Sequence, residues 1–226
     1  KLRKVMPNSL DLIMTPFLTM FATIVIALLG FAPIVHWLET ILIAVTQAVM
    51  NIPFGIGGFF VGATYPLAVI TGLHHAMLPI DLQAAETVGG IYTFPVVALN
   101  NIAQASAVVA FVIINRRNAK AKEVGVPAFI SGYLGVTEPA MFGINLKYLY
   151  PFVGAMLATG VTGMISRLIG VIANSVGVGG LPAFLSMKAQ YMLPYIGVMA
   201  LCIVLSILFT LLLSKTSLNS ENRKKN

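Results

Sequence analysis

Residues 93–115 read TFPVVALNNIAQASAVVAFVIIN, an uncharged run long enough to cross a bilayer, and this stretch decides the class of fold. A helix needs about 20 largely apolar residues to cross the hydrocarbon core. The run is followed at once by Arg116 to Lys122 (RRNAKAK), the kind of basic flank that stays on the cytoplasmic side. The same pattern recurs on both sides. Residues 12–35 contain 24 uncharged positions between Asp11 and His36, with Pro16 near one end, where a first-turn proline is tolerated. Residues 191–214 (YMLPYIGVMALCIVLSILFTLLLS) form another candidate span. Residues 148–173 span as well, although they carry Arg167, which is expected near an interface or facing the protein interior. From Thr40 to Leu73 there are 34 uncharged residues, too many for one span and barely enough for two. Their middle, NIPFGIGGFFVG, is broken by Pro53 and four glycines, which predicts a short interfacial helix and then one span over about 54–73. In that span Gly58 and Gly62 form a GxxxG face suited to close helix packing. The expected fold is all-α and polytopic, with about five transmembrane helices.

Composition agrees. Hydrophobic residues make up 58% of the chain and charged residues only 9%, against roughly 25% charged in a soluble domain, so a soluble or disordered chain is excluded. The net charge of +7 would suggest nucleic acid in a soluble protein. Here the basic residues sit in three clusters between apolar runs, Lys1 to Lys4, Arg116 to Lys122 and Lys215 to Lys225, as membrane flanks do. No nucleic-acid partner is therefore expected. The single cysteine, Cys202, lies inside an apolar run and reads as a small buried hydrophobe. Lys1 to Ser9 is basic and polar, and the apolar run after it is too long for a signal peptide. With no initiator Met, the chain is expected to begin inside a longer protein, with residues 1–215 as membrane domain and 216–226 as a basic cytoplasmic tail.

Two further apolar stretches are too short and too interrupted to span. Val124 to Leu146 is cut by Pro127, Glu138 and Pro139, and Gly177 to Met187 by Gly179, Gly180 and Pro182. Irregular backbone at membrane depth is tolerated only where protein or a wet cavity surrounds it, so both are expected to be re-entrant hairpins. They resemble each other, VGVPAF at 124–129 against VGGLPAF at 178–184. Paired broken segments of this kind point to a transporter binding site. If Arg116 to Lys122 is cytoplasmic, the first hairpin enters from the cytoplasm, the second from outside, and the C-terminus is cytoplasmic. In the first half three apparent spans separate two basic clusters, an odd number; either 74–92 or 40–53 must supply the missing passage.

Ionisable groups at membrane depth cost about 2.5 to 3.5 kcal/mol each on insertion scales and mark function by default. His74 and His75 end a span, where imidazoles can hydrogen-bond a polar substrate or shuttle a proton; the plainer role is that one of them caps a helix. Glu138 lies between Thr137 and Pro139, and Pro139 can open a half-helix whose positive end keeps the carboxylate charged. Its plainer role is that of an N-cap. Asn100, Asn101, Gln104 and Ser106 form a polar stripe, with Asn100 and Gln104 on one helix face. Plain interhelical hydrogen bonding explains such a stripe equally well. Asp81 follows His75 by six residues, close enough to share its pocket. No Walker sequence, metal-ligand spacing or nucleophile elbow is present, and no cofactor or metal is expected. Amides, histidines and few carboxylates suit a neutral polyhydroxylated solute, whose hydroxyls both donate and accept.

GLHH at 72–75, NIAQ at 101–104, GVTEPAMFGINLKY at 135–148 and GVGGLP at 177–182 resemble the membrane subunit, enzyme IIC, of the bacterial phosphoenolpyruvate-dependent sugar phosphotransferase system, in its glucose, sucrose and trehalose branch. The similarity runs from VMPNSLDLIMTP onward, and Pro139 with Lys147 makes it most like the trehalose permeases. The resemblance implies ten transmembrane helices in the whole subunit, a homodimer in a bacterial cell membrane, and vectorial phosphorylation of a disaccharide. In that scheme the sugar's 6-hydroxyl attacks a phosphocysteine of a partner enzyme IIB domain. Glu138 with His74 or His75 would be the catalytic pair; Thr137, Asn100, Asn101, Gln104, Asp81 and Asn145 would contact the sugar. This chain would be the C-terminal half of enzyme IIC, without the phosphoryl donor, and inactive alone. A competing class is a proton- or sodium-coupled symporter with His74, His75 and Glu138 as proton relay. A purely structural scaffold is disfavoured by the two broken hairpins.

Overall fold

The computed structural model describes residues 8–87 and 89–216. The basic clusters expected at Lys1 to Lys4 and in most of the 216–226 tail lie outside the described residues. The chain divides into two compact units at Val45 and Thr46. The first contains helix α1 (Asn8–Ile26), a π-helical turn (Ala27–Phe31) and the start of α2 (Ala32–Met50). Phe17, Met20, Phe21 and Leu29 are exposed along it, as a lipid-facing helix requires. Its threonines return their hydroxyls to the helix: Thr19 donates to Thr15 O at 2.8 Å and Thr23 to Thr19 O at 2.7 Å.

The second unit contains α3 (Ile56–Thr71), α4 (Met77–Thr87), α5 (Phe94–Ile114), α6 (Ala119–Tyr133), α7 (Glu138–Ala140), α8 (Leu146–Tyr148), α9 (Tyr150–Ile169) and α10 (Ala189–Leu213). Among the described residues five segments are long and apolar enough to cross a membrane: Met14–Ile34, Pro53–Thr71, Phe94–Ile114, Tyr150–Ile169 and Ala189–Leu213. Each falls on a span read from the sequence. No strand forms among the described residues; isolated bridges join Ala173 to Ile91 and to Met187.

Helix α9 lies at the centre, packed on α3, α5 and α10. Small residues make this possible. A Cβ on Gly58 would collide with the carbonyl of Gly163, and one on Gly62 with that of Thr159, so the GxxxG face lets two backbones touch. On the other side α10 hydrogen-bonds α5 rung by rung. Tyr195 Oη donates to Pro95 O at 2.7 Å, Cys202 Sγ to Leu99 O at 3.4 Å and Ser206 Oγ to Ala103 O at 2.6 Å. The acceptors are four residues apart, on one helix face, and these three polar atoms of an apolar helix are thereby satisfied, whereas Thr210 Oγ1 further along α10 is buried without a partner. Cys202 is fully buried and unpaired.

These contacts also fix direction. Position numbers rise along α3 as they fall along α9, from Gly58 on Gly163 to Gly62 on Thr159. Val96, at the start of α5, meets Gly163 as well. Helices α3 and α5 therefore begin at the same end of the bundle, and residues 72–93 must bring the chain back along its length. They do so with a tight turn (Leu73–Ala76) and the 11-residue α4 rather than a spanning helix; Ile80 and Asp81 of α4 are buried, while Leu73, Leu78 and Leu82 are exposed. Of the two candidates for the missing passage, the packing selects this one.

The two broken stretches also take shape. Helix α6 runs antiparallel to α5, with Gly125 against Val112 and Gly132 against Ala105. The chain reverses at Leu134–Thr137 and continues through α7, a π-helical turn (Met141–Asn145) and α8. Residues 177–187 are irregular apart from a 3₁₀ turn at Leu181–Ser186. Their tips meet: Gly180 packs against Tyr133 O and Gly135 N, and Gly135 against Gly179.

Candidate functional site

Where α3 ends, Gly72 in a left-handed conformation stops the helix and the next turn presents the two histidines. Their rings lie 4.0 Å apart, and that of His74 is 6.4 Å from Tyr65, edge to face. These three residues form one wall of a cleft of about 200 Å³. Asp81 from α4, Phe94 and Asn101 from α5, and Gly177 and Gly179 from the second broken segment complete it. Asn101 Nδ2 donates to Gly135 O at 3.4 Å and also abuts Gly179, so it joins both tips. The cleft thus brings together His74, His75, Asp81 and Asn101 of the expected site residues.

The others lie around it. Glu138 begins its helical segment with Pro139 next, as the half-helix expectation required. Its side chain is exposed, and it does not line the cleft, although its charge reaches His74. Thr137 beside it is buried. Asn100, Gln104 and Asn145 form a separate buried ladder: Gln104 Nε2 donates to Asn100 Oδ1 at 3.5 Å, and Asn145 Nδ2 to Gln104 Oε1 at 2.7 Å and Gln104 O at 3.0 Å. All three are fully buried, with Asn100 Nδ2 and Asn145 Oδ1 left unpaired at the ladder's ends. Ser106 hydrogen-bonds the Tyr133 hydroxyl at 2.9 Å, joining α5 to α6.

Burial acts on two of the cleft's titratable groups, His74 and Asp81, and favours the neutral form of each. Burial lowers the pKa of His74, helped by neighbouring His75, while the Ala68 carbonyl and Glu138 oppose the shift. His74 is therefore neutral at pH 7 and can accept a hydrogen bond from a hydroxyl. Asp81 is 5% exposed, and burial pushes its carboxyl up to about 7. Thr93 Oγ1 donates to Asp81 Oδ1. Among the described residues no cluster could hold a metal ion.

The cleft, with its tips and histidines, lies on the four sequence blocks singled out above. A model of the family described as "Phosphotransferase system, EIIC" matches residues 1–160. This chain belongs to that family. The EIIC chain is 38% identical over 211 residues to the PTS system trehalose-specific EIIBC component of Escherichia coli (strain K12), covering 93% of this chain and 44% of that protein. It is 38% identical over 191 residues to the trehalose-specific component of Bacillus subtilis (strain 168), covering 84% and 40%. The sucrose-specific EIIBC component of Pasteurella multocida (strain Pm70) is 35% identical over 213 residues, covering 93% and 44%. The chain spans less than half the length of these relatives. No solved structure matches it.

Tyr65 and Thr93 belong to the site but were not anticipated. A hydroxyl in an apolar run does not show which way it points, and Tyr65 is joined to His74 only through the turn that ends α3. The Arg167 side chain does face inward: Nε donates to Met50 O at 2.9 Å and the guanidinium stacks 4.5 Å from the Tyr92 ring centre.

Proposed function

We propose that the protein carrying this EIIC chain is a sugar permease of the phosphoenolpyruvate-dependent phosphotransferase system, taking a disaccharide, trehalose foremost, and delivering it inside as the 6-phosphate. The observation that carries the reading is the cleft itself. His74, His75, Asp81 and Asn101 converge there as hydrogen-bonding groups suited to hydroxyls, inside a family of sugar-specific relatives.

Orientation follows from charge. Arg116, Arg117, Lys120, Lys122, Lys147 and Lys215 lie at the end where α5 and α10 finish and α9 begins; only Arg167 and Lys188 of the described lysines and arginines lie at the other. The positive-inside rule places the first end in the cytoplasm. Helix α6 has 15 residues, about 22 Å at 1.5 Å per residue, too short to cross a core of about 30 Å. It enters from the cytoplasmic end and the 177–187 segment from the outer end, so that the joined tips lie at depth, beside the cleft.

In the proposed reaction the 6-hydroxyl oxygen attacks the phosphorus of the enzyme IIB phosphocysteine. An O–P bond forms, the S–P bond breaks, and the thiolate leaves with the electron pair. Glu138, exposed beside the cleft, takes the hydroxyl proton as general base, and neutral His74 orients the hydroxyl. Cys202 is fully buried and is no donor thiol, so the isolated chain is expected not to turn over. Homodimer assembly belongs to the same proposal.

The test is uptake by the full-length protein in membrane vesicles. Dependence on phosphoenolpyruvate, indifference to a protonophore and a phosphorylated product support the reading. Free sugar accumulated only with a proton or sodium gradient would replace it with a symporter.

A further inference from the structure

A second pocket lies on the far side of Asp81. It has a volume of about 140 Å³ and is lined by Thr46, Gln47, Met50, Asn51, Ile80, Asp81, Tyr92, Thr93 and Arg167. Only Met50, Ile80 and Tyr92 of these nine are hydrophobic, in a chain that is 58% hydrophobic. The concentration of amides, hydroxyls and a guanidinium is therefore a local feature. It is built at the outer end of the bundle, from the residues before α3, the approach to α5 and the last turn of α9. Asp81 lines both this pocket and the histidine cleft, and its hydrogen bond from Thr93 closes the wall between them.

The chemistry favours a neutral ligand over an anion. The Arg167 charge is partly spent on the carbonyl of Met50, at the negative end of α2, and Nη2 donates to Asn51 Oδ1 at 3.2 Å. A five-donor guanidinium keeps N–H groups to spare. A carboxyl and a guanidinium then face the same space with amides between them, the mixture of donors and acceptors that sugar hydroxyls need. Asp81 and Thr93 are both buried, at 5% and 7% exposure, so the pocket has a fixed floor.

We propose that Gln47, Asn51, Tyr92, Thr93, Asp81 and Arg167 form an outer sugar-binding subsite, which holds a hexose unit arriving from outside before it passes Asp81 into the histidine cleft. This inference rests on the permease reading above and adds a first station to its path.

The test uses the full-length protein in right-side-out vesicles, with Gln47→Cys labelled by a membrane-impermeant thiol reagent. Gln47 is exposed and Cys202 is fully buried, and labelling is read as the excess over the protein without the introduced thiol. Saturating trehalose is expected to slow labelling about tenfold, and the protection is expected to persist when Glu138→Gln is added. Labelling that ignores the sugar, protection that vanishes with Glu138→Gln, or a thiol unreachable from outside would each overturn the subsite. Phosphorylation kinetics separate the two levels. Gln47→Trp is expected to raise the KM for external trehalose about tenfold with kcat unchanged, and an unaltered KM would count against the subsite alone. A wild type that never phosphorylates the sugar would instead remove the permease reading.

Discussion

A Cβ added to Gly135 would lie 2.9 Å from the carbonyl oxygen of Gly179, so the turns of two segments 44 positions apart in the chain meet backbone against backbone. Gly135 also has φ +101°, which side chains rarely adopt. Gly135→Ala is therefore expected to cost about 1–3 kcal/mol and, because Asn101 spans the same contact, to cut sugar phosphorylation at least tenfold. Gly143→Ala is the control, since its Cβ meets only Val124 Cγ1 at 3.9 Å. Thermal unfolding in detergent and phosphorylation assays read both variants; equal behaviour of the two would show that the tip contact is unimportant.

Gln104 and Asn145 are each other's partners across 41 residues, both with no exposure. Gln104→Leu leaves the Asn145 amide short of its 2.7 Å acceptor and is expected to destabilise by about 1–3 kcal/mol. Replacing both by Leu removes the Asn145 orphan but still leaves buried Asn100 Oδ1 without its Gln104 donor, and is expected to recover part of that loss. A double-mutant cycle by thermal unfolding checks it, and strict additivity would contradict the pairing.

Asp81 sets a pH dependence. Its carboxyl is pushed from 3.8 up to about 7 in the folded chain, so the folded state holds a proton that the unfolded chain releases above about pH 4. The associated stability is fully present below the unfolded value and is lost as pH rises through about 7. The midpoint of thermal unfolding is expected to fall from pH 5 to 8 in the wild type and to stay flatter in Asp81→Asn. Parallel curves for the two proteins would assign the dependence elsewhere.

The Gly62 face admits no side chain, because a Cβ there meets the Thr159 carbonyl. Gly62→Leu is expected to lower stability by about 1–3 kcal/mol or more through overpacking. Gly30→Leu, with nothing within 4 Å of its Cβ, is expected to be neutral. Comparable unfolding midpoints for both would refute the close α3–α9 contact.

The spans were legible because hydropathy is a local property, and the edges at 94, 114, 150 and 213 follow from it within a few residues. The return through 72–93 was not, because it is set by the antiparallel contact of Gly58 with Gly163, which no local window contains. The likeness of VGVPAF to VGGLPAF pointed to paired turns, yet nothing in it said that the tips touch. At the site, His74, His75, Asp81 and Asn101 announced themselves as polar groups in apolar surroundings. Gln104 and Asn145 did so equally, and only the fold separates a ladder that ties helices from a group that faces a cleft.

The most direct test of the central claim is phosphoenolpyruvate-dependent phosphorylation of labelled trehalose by the full-length protein with its enzyme IIB domain, in wild type and Glu138→Gln, beside sucrose, glucose and maltose. Trehalose 6-phosphate formed by the wild type, in preference to the other products, and reduced at least a hundredfold in the mutant is the expected result. Phosphorylation undiminished in Glu138→Gln, or no phosphorylated sugar from the wild type, would contradict it.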